Sequence, residues 1–184
     1  MSVAAPHVVL RPMGERDVDA VRALDALVQP TPWSEVFLRD QLADAETWTL
    51  LVAEGADGAP VGHAALVVVA DEGHITSVSV DPNHQRHGVG TLLVAALCRD
   101  ARARDLTAMT LEVRTTNAAA ISLYRRFGFA PAGVRPLYYA DPDGTTTDAL
   151  VLWVHDVEDP VFVSAVERQA MEWAEIEERD GGMT

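Results

Sequence analysis

One segment, Ser79-Val80-Asp81-Pro82-Asn83-His84-Gln85-Arg86-His87-Gly88-Val89-Gly90-Thr91, constrains the fold more than any other. A strand-like apolar run ends in it, the chain turns through two glycines, and a helical run, TLLVAALCRDARARD, begins at Thr91. The apolar run, His74 to Val80, is the last of three strand-like stretches, the others being Thr47 to Ala53 and Val61 to Ala70, parted by Glu54-Gly55-Ala56-Asp57-Gly58 and Asp71-Glu72-Gly73. Short turns between strands predict an antiparallel meander. Downstream, Ala108 to Arg114 alternates, with Met109, Leu111 and Val113 on one face and Thr110, Glu112 and Arg114 on the other. A strand, a helix and a strand in succession require a parallel crossover. The expected class is therefore α/β (α+β), a mixed and mostly antiparallel central sheet flanked by helices.

The remaining elements fit around that frame. Residues 8 to 11 read as an opening strand, and Asp17 to Val28 as a helix with Val18, Val21, Leu24 and Val28 at helical spacing. Gln29-Pro30-Thr31-Pro32-Trp33-Ser34 breaks it, and Thr31 or Ser34 is placed to cap a short helix carrying Val36, Phe37 and Leu42. Asn117 is placed to cap a helix over AAAISLYRRF that stops at Gly128. Two last strands, Gly133 to Tyr139 and Ala149 to His155, flank the turn Asp141-Pro142-Asp143-Gly144. From Pro160 onward, Phe162, Val166, Ala170 and Trp173 line one side of an acidic amphipathic helix. The expected division is one domain, 1–156, and a helical extension, 157–184, packed on its own domain or on a partner subunit.

Composition narrows the function classes. In 184 residues there are 28 acidic side chains against 14 basic ones, all arginine, for a net charge of −14. That balance argues against a general nucleic-acid or anionic-membrane binder and suits a cationic partner. It is also uneven: residues 86 to 135 hold eight arginines and three acids, while both flanks are strongly acidic. The lone Cys98 excludes an internal disulfide framework. No charged leader precedes an apolar stretch at the N-terminus, and no apolar run nears the ~20 residues that span a bilayer, so a cytoplasmic protein is expected.

Two constellations carry chemistry. The glycine turn at Gly88-Val89-Gly90 opens a helix, whose first turn offers unpaired N–H donors and a positive dipole end. Such a turn can hold a pyrophosphate, although the same pattern also serves as a plain tight turn. It is neither a P-loop nor a dinucleotide fingerprint. The second constellation is Glu112, Asn117 and Tyr124. Glu112 points away from the apolar face of its strand, while Asn117 and Tyr124 share one side of a helix, two turns apart. A carboxylate and a phenol near a phosphate loop suit acid and base chemistry. Each alone has a plainer use, as a solvated carboxylate, an N-cap and a half-buried helix tyrosine.

Gln85-Arg86-His87-Gly88-Val89-Gly90 resembles the acetyl-CoA loop of the GNAT N-acetyltransferases, of form Gln/Arg-x-x-Gly-x-Gly/Ala. The run LEVRTTNAAAISLYRRFGF, with Tyr138-Tyr139 and the turn after it, resembles the RimI type, which acetylates the N-terminal alanine of a small-subunit ribosomal protein. Thr31-Pro32-Trp33-Ser34 is similar to the substrate-side loop of that type. The resemblance implies a GNAT fold, acetyl-CoA as co-substrate and no metal. It implies Glu112 as general base and Tyr124 as the acid that protonates the leaving thiolate. It also implies that the backbone of Val78, Ser79 and Val80 holds the pantetheine, that Arg86, His87, Gly88, Val89, Gly90 and Thr91 bind the pyrophosphate, and that Asn117 touches the cofactor. Trp33, Tyr138 and Tyr139 become candidate walls of an acceptor groove. The implied partner is a protein or peptide N-terminus, a basic ribosomal protein among the candidates, with no nucleic acid and no membrane.

An α-amine, with a reference pKa of about 7.7–8.0, gives up its proton more easily than a lysine ε-amine by ~3 kcal/mol, which favours N-terminal acceptors. Two alternatives stand beside this reading. One is acetylation of a lysine side chain or a small amine on the same scaffold, and the other is an acyl-CoA-binding module without turnover. The six histidines complete no metal pattern with cysteine, and His84 and His87 fall within the phosphate loop. Pro136 stands where the family usually has another polar residue. The C-terminal helix is a candidate surface for oligomer contacts.

Overall fold

Seven alternating segments build one sheet in the computed structural model, which describes residues 8 to 181, with side chains described as far as Met171. The strands are β1 (Val9–Pro12), β2 (Trp48–Glu54), β3 (Pro60–Val69), β4 (Glu72–Val80), β5 (Ala108–Arg114), β6 (Ala130–Ala140) and β7 (Thr146–Val154). They lie in the order β1-β2-β3-β4-β5-β7-β6. Every neighbouring pair is antiparallel except β4 and β5, which run parallel across the crossover. Five helices cover the sheet: α1 (Val18–Val28), α2 (Glu35–Ala43), α3 (Val89–Ala103), α4 (Ala118–Arg126) and α5 (Pro160–Gly181).

Strand alternation divides the apolar residues between two faces. Met109, Leu111 and Leu152 meet Leu93 and Leu97 of α3, Phe127 and Phe129 after α4, and Phe162 and Val166 of α5 in the larger core. On the other face, Leu50, Val52 and Ala65 meet Val18 and Val21 of α1 and Leu38 of α2. Each large side chain so buried contributes ~1.5–3 kcal/mol. Ser34, not Thr31, caps α2, its hydroxyl accepting the Phe37 N–H at 3.1 Å. The extension lies on its own domain, with Arg99 of α3 bridged to Glu167 of α5 at 2.6 Å and Arg102 to Glu158 at 3.0 Å. Ala170 packs against the same core, whereas the Trp173 side chain falls outside the described residues.

Of the irregularities in the sheet, one in the central strands and one at the outer edge shape the site. Ala65 lies opposite Ser77 and Leu66 opposite Ile75, so Thr76 is an extra residue that bends β4. Parallel pairing with β5 covers only Glu72 to Ile75 against Ala108 to Leu111, and past the bend the two strands part. In β6, Arg135 lies opposite Ala149 and Tyr139 opposite Thr147, four residues along one strand against two along the other. Leu137 in that bulge takes a left-handed φ of 55° and donates its N–H to Asp148 Oδ1 at 2.8 Å. Pro131 and Pro136 sit on this outer strand, where a missing N–H costs no ladder bond.

Candidate active site

The parting of β4 and β5 leaves backbone groups without a strand partner. Asp81 donates its N–H to Val61 O at 2.9 Å, so alternation turns Ser79 toward β3 and Val78 and Val80 toward the gap. Ser79 therefore turns its own backbone groups to β3. Its register partner is His63, and its hydroxyl donates to buried Asp25 Oδ1 at 2.8 Å. Asp25 also meets His63 Nε2 at 2.6 Å, a buried pair tying α1 to β3. The carbonyl of Val80 accepts Gln85 Nε2 at 3.1 Å, which folds the following loop back on the strand.

That loop ends at Gly88, the N-cap of α3, with φ 86°. A side chain there would be strained, which is why a glycine opens this helix. The helix begins at Val89, two residues before Thr91, so the N–H groups of Val89, Gly90 and Thr91 belong to its unpaired first turn. Arg86 is exposed beside it and also takes a positive φ, 65°. Arg126 of α4 reaches across to donate to Thr91 Oγ1 at 2.9 Å. Arg86, Arg125 and Arg126 enter no ion pair with the described residues, unlike Arg99, Arg102, Arg104, Arg114 and Arg135. Free N–H donors, a helix N-terminus and three guanidinium groups with no carboxylate partner among the described residues suit a polyanion such as the pyrophosphate of acetyl-CoA.

Glu112 lies on β5 one residue beyond the last pair with β4. It faces away from the larger core, as its place in the alternation predicts, but only 5% of its side chain is exposed. His74 of β4 holds Oε2 at 2.5 Å, and Arg135 of β6 meets Oε1 at 3.1 Å. The Tyr139 hydroxyl donates to the Glu112 carbonyl at 3.0 Å. Arg114 stacks 4.4 Å over the Tyr139 ring and pairs with Asp141 at 2.8 Å. Burial, with Tyr138 and Glu112 nearby, pushes the Tyr139 phenol up to about 12.

Tyr124 comes from the opposite face. It is buried in the larger core, edge-on to Phe129 at 5.9 Å, and burial, with Tyr139 and Cys98 nearby, pushes its phenol up. Asn117 spends its side-chain oxygen on the Ala120 N–H at 3.1 Å, as the N-cap of α4. Trp33 packs edge-on to Phe37, Trp48 and His63 on the α1–α2 side, while Tyr138 is exposed beside Arg135. Among the described residues no three metal-ligating side chains come together, and no helix is long and apolar enough to cross a membrane.

Sequence reasoning passed over three residues of this site. His74, Arg135 and Arg126 lie 38, 23 and 35 residues from the groups they touch. Strand register brings in His74 and Arg135, and the packing of α4 beside α3 brings in Arg126. The period-2 place of His74, two residues before the bend in the strand that faces β5, is the signal that could have found the first.

A sheet whose parallel central strands part beside a glycine-opened helix leaves a cleft between two strands with a helix N-terminus at one end. A sequence profile of the acetyltransferase (GNAT) family matches residues 18–129, and the chain belongs to that family. It is 33% identical over 136 residues to the ribosomal protein bS18-alanine N-acetyltransferase of Escherichia coli (strain K12), covering 74% of this chain and 89% of the relative. The crystal structure of the Escherichia coli ribosomal-protein-S18-alanine N-acetyltransferase superposes with a TM-score of 0.72 at 30% identity, over 80% of this chain and 92% of that one. Ard1 from Thermoplasma volcanium superposes with a TM-score of 0.71 at 26% identity, over 80% and 96%.

Proposed function

We propose that the chain transfers the acetyl group of acetyl-CoA to the α-amine of a protein N-terminus, with the N-terminal alanine of a small-subunit ribosomal protein as the acceptor. The activity of the Escherichia coli relative supports that acceptor. The observation that carries the reading is that Glu112 and Tyr124 lie on opposite faces of the sheet, Glu112 one residue past the last pair of β4 with β5 and Tyr124 in the core that Leu111 shares. Val78 and Val80 line the gap with backbone N–H groups, which can hold the pantetheine and stabilise charge developing on the acetyl oxygen. The first turn of α3, with Arg86 and Arg126, takes the pyrophosphate.

The acceptor nitrogen attacks the thioester carbonyl carbon directly, forming the C–N bond as the C–S bond breaks. Glu112 takes the amine proton, through a water if the nitrogen stands too far off, and His74 keeps the carboxylate aimed. Tyr124 gives its proton to the departing sulfur. Cys98 plays no part, because it is wholly buried and burial pushes its thiol up.

The test is a screen of free-N-terminus peptides, N-blocked lysine peptides and small amines, with acetyl-CoA consumption as the readout. Alanine-initiated peptides should be the best acceptors. Glu112→Gln and Tyr124→Phe should each lose at least about a hundredfold in kcat, in line with general acid–base contributions, while calorimetry shows acetyl-CoA still bound. Full turnover in both variants would remove them from the chemistry.

A further inference from the structure

Glu112 offers the acceptor side one oxygen, and that oxygen is already occupied. His74 holds Oε2 from β4, while Oε1 faces the Arg135 guanidinium at 3.1 Å. Arg135 arrives from two strands away. Glu112 and Gly133 both lie opposite Val151, and Arg135 sits one cross-strand row further along, opposite Ala149. A Cβ at Gly133 would meet nothing within 4 Å, so the guanidinium reaches Glu112 across an open floor. The Arg135 side chain is 56% exposed and lies 5.6 Å from the ring of Tyr138, a candidate wall of the acceptor groove.

The neighbouring charged and titratable groups are otherwise engaged. From β5, Arg114 is paired with Asp141 and stacked on Tyr139. From β7, Asp148 accepts the Leu137 N–H. The Tyr139 hydroxyl is spent on the Glu112 carbonyl, and Tyr138 stands beside Arg135. Asp25 of α1 and His63 of β3 are buried against each other, and Tyr124 of α4 lies on the opposite face. Arg135 is thus the exposed permanent cation at the carboxylate.

An ammonium ion approaching Glu112 must share it with that cation, and a like charge nearby disfavours the charged form of the newcomer. We infer that Arg135 is a positioning residue that acts on the acceptor: held against Glu112, it keeps the bound amine neutral and nucleophilic, and weakens binding of the ammonium form. The inference rests on Glu112 being the group that meets the amine.

Steady-state kinetics with an alanine-initiated peptide at saturating acetyl-CoA tests it. At pH 7, Arg135→Gln should lower peptide KM and kcat together, each about tenfold, leaving kcat/KM within about threefold. The rising limb of kcat, which belongs to the ternary complex, should move up by about one pH unit. Arg135→Lys restores the charge and should keep the wild-type limb. Calorimetric titration of the same peptide into the enzyme–CoA complex should show about tenfold tighter binding in Arg135→Gln without any turnover. An unmoved kcat limb, or a peptide KM that rises, overturns the inference while leaving N-terminal acetylation standing. If the wild-type enzyme accepts only lysine peptides or small amines, the acceptor reading fails instead, and the same measurements on the accepted amine still decide the role of Arg135.

Discussion

Tyr124 can serve as an acid only while it keeps its proton. Its phenol stands among Phe129, Cys98 and Tyr139, and burial there disfavours the phenolate, which moves its pKa above the ordinary phenol value of about 10. In the proposed mechanism the protonated form is the active one, so a raised pKa extends activity upward in pH. We therefore expect kcat to show no fall with a midpoint below about pH 10 that is present in the wild type and absent in Tyr124→Phe. A pH–rate profile of the two proteins checks this, and such a fall would assign the phenol an ordinary, exposed environment. The sequence shows Tyr124 as a helix tyrosine on the side of Asn117, while the rings and thiol around it come from outside its helix. The neighbours of Glu112 were not legible either, because alternation says which way a strand residue points and nothing about what covers it. Covering came from His74 and Arg135, on strands whose register no local pattern sets.

At the level of elements, existence and order could be read while irregularities could not. The alternating Ala108–Arg114 run and the glycine-opened α3 announced the crossover. The extra residue at Thr76, which splays β4 from β5, carries no glycine or proline to mark it. Only the pairing of β4 with β3 and β5 reveals it, a tertiary feature. The bulge in β6 was not read from the sequence, although Pro136 lies within it. The amphipathic stripe of α5 was legible, and its partner was not. Phe162 lies 6.4 Å edge-on from Phe129, which in turn meets Tyr124, so α5 backs the site through two rings. Phe162→Ala should cost about 3–4 kcal/mol in denaturant melts, as large-to-small core changes do. Arg99→Ala, which breaks only an exposed bridge to Glu167, should cost less than about 1 kcal/mol. Equal small losses in both would mean that α5 docks by charge rather than by packing.

Over the whole molecule, the net charge of −14 is not spread evenly, and folding sharpens the contrast. Five of the eight arginines in the basic stretch are neutralised by carboxylates, leaving Arg86, Arg125 and Arg126 clustered on the loop before α3 and on α4. Elsewhere, exposed acids such as Asp19, Asp40, Asp44, Glu46, Asp57 and Asp71 have no arginine at their carboxylates among the described residues. The field of the body is therefore negative, and the cofactor's phosphates meet a local positive spot. An acceptor that carries arginines downstream of its first residue should be drawn in by that field. At about 0.01 M salt the Debye length is about 30 Å, longer than most of these separations, and at 1 M it falls to about 3 Å. The preference in kcat/KM for an alanine-initiated peptide with three downstream arginines over one with three glutamates should thus be about tenfold or more in low salt, and should collapse toward unity in high salt. A contact-based preference would persist, because short-range pairs that exclude water are screened far less. Persistence at 1 M would therefore place the discrimination in specific groove contacts and leave the acid-rich surface with solubility as its use.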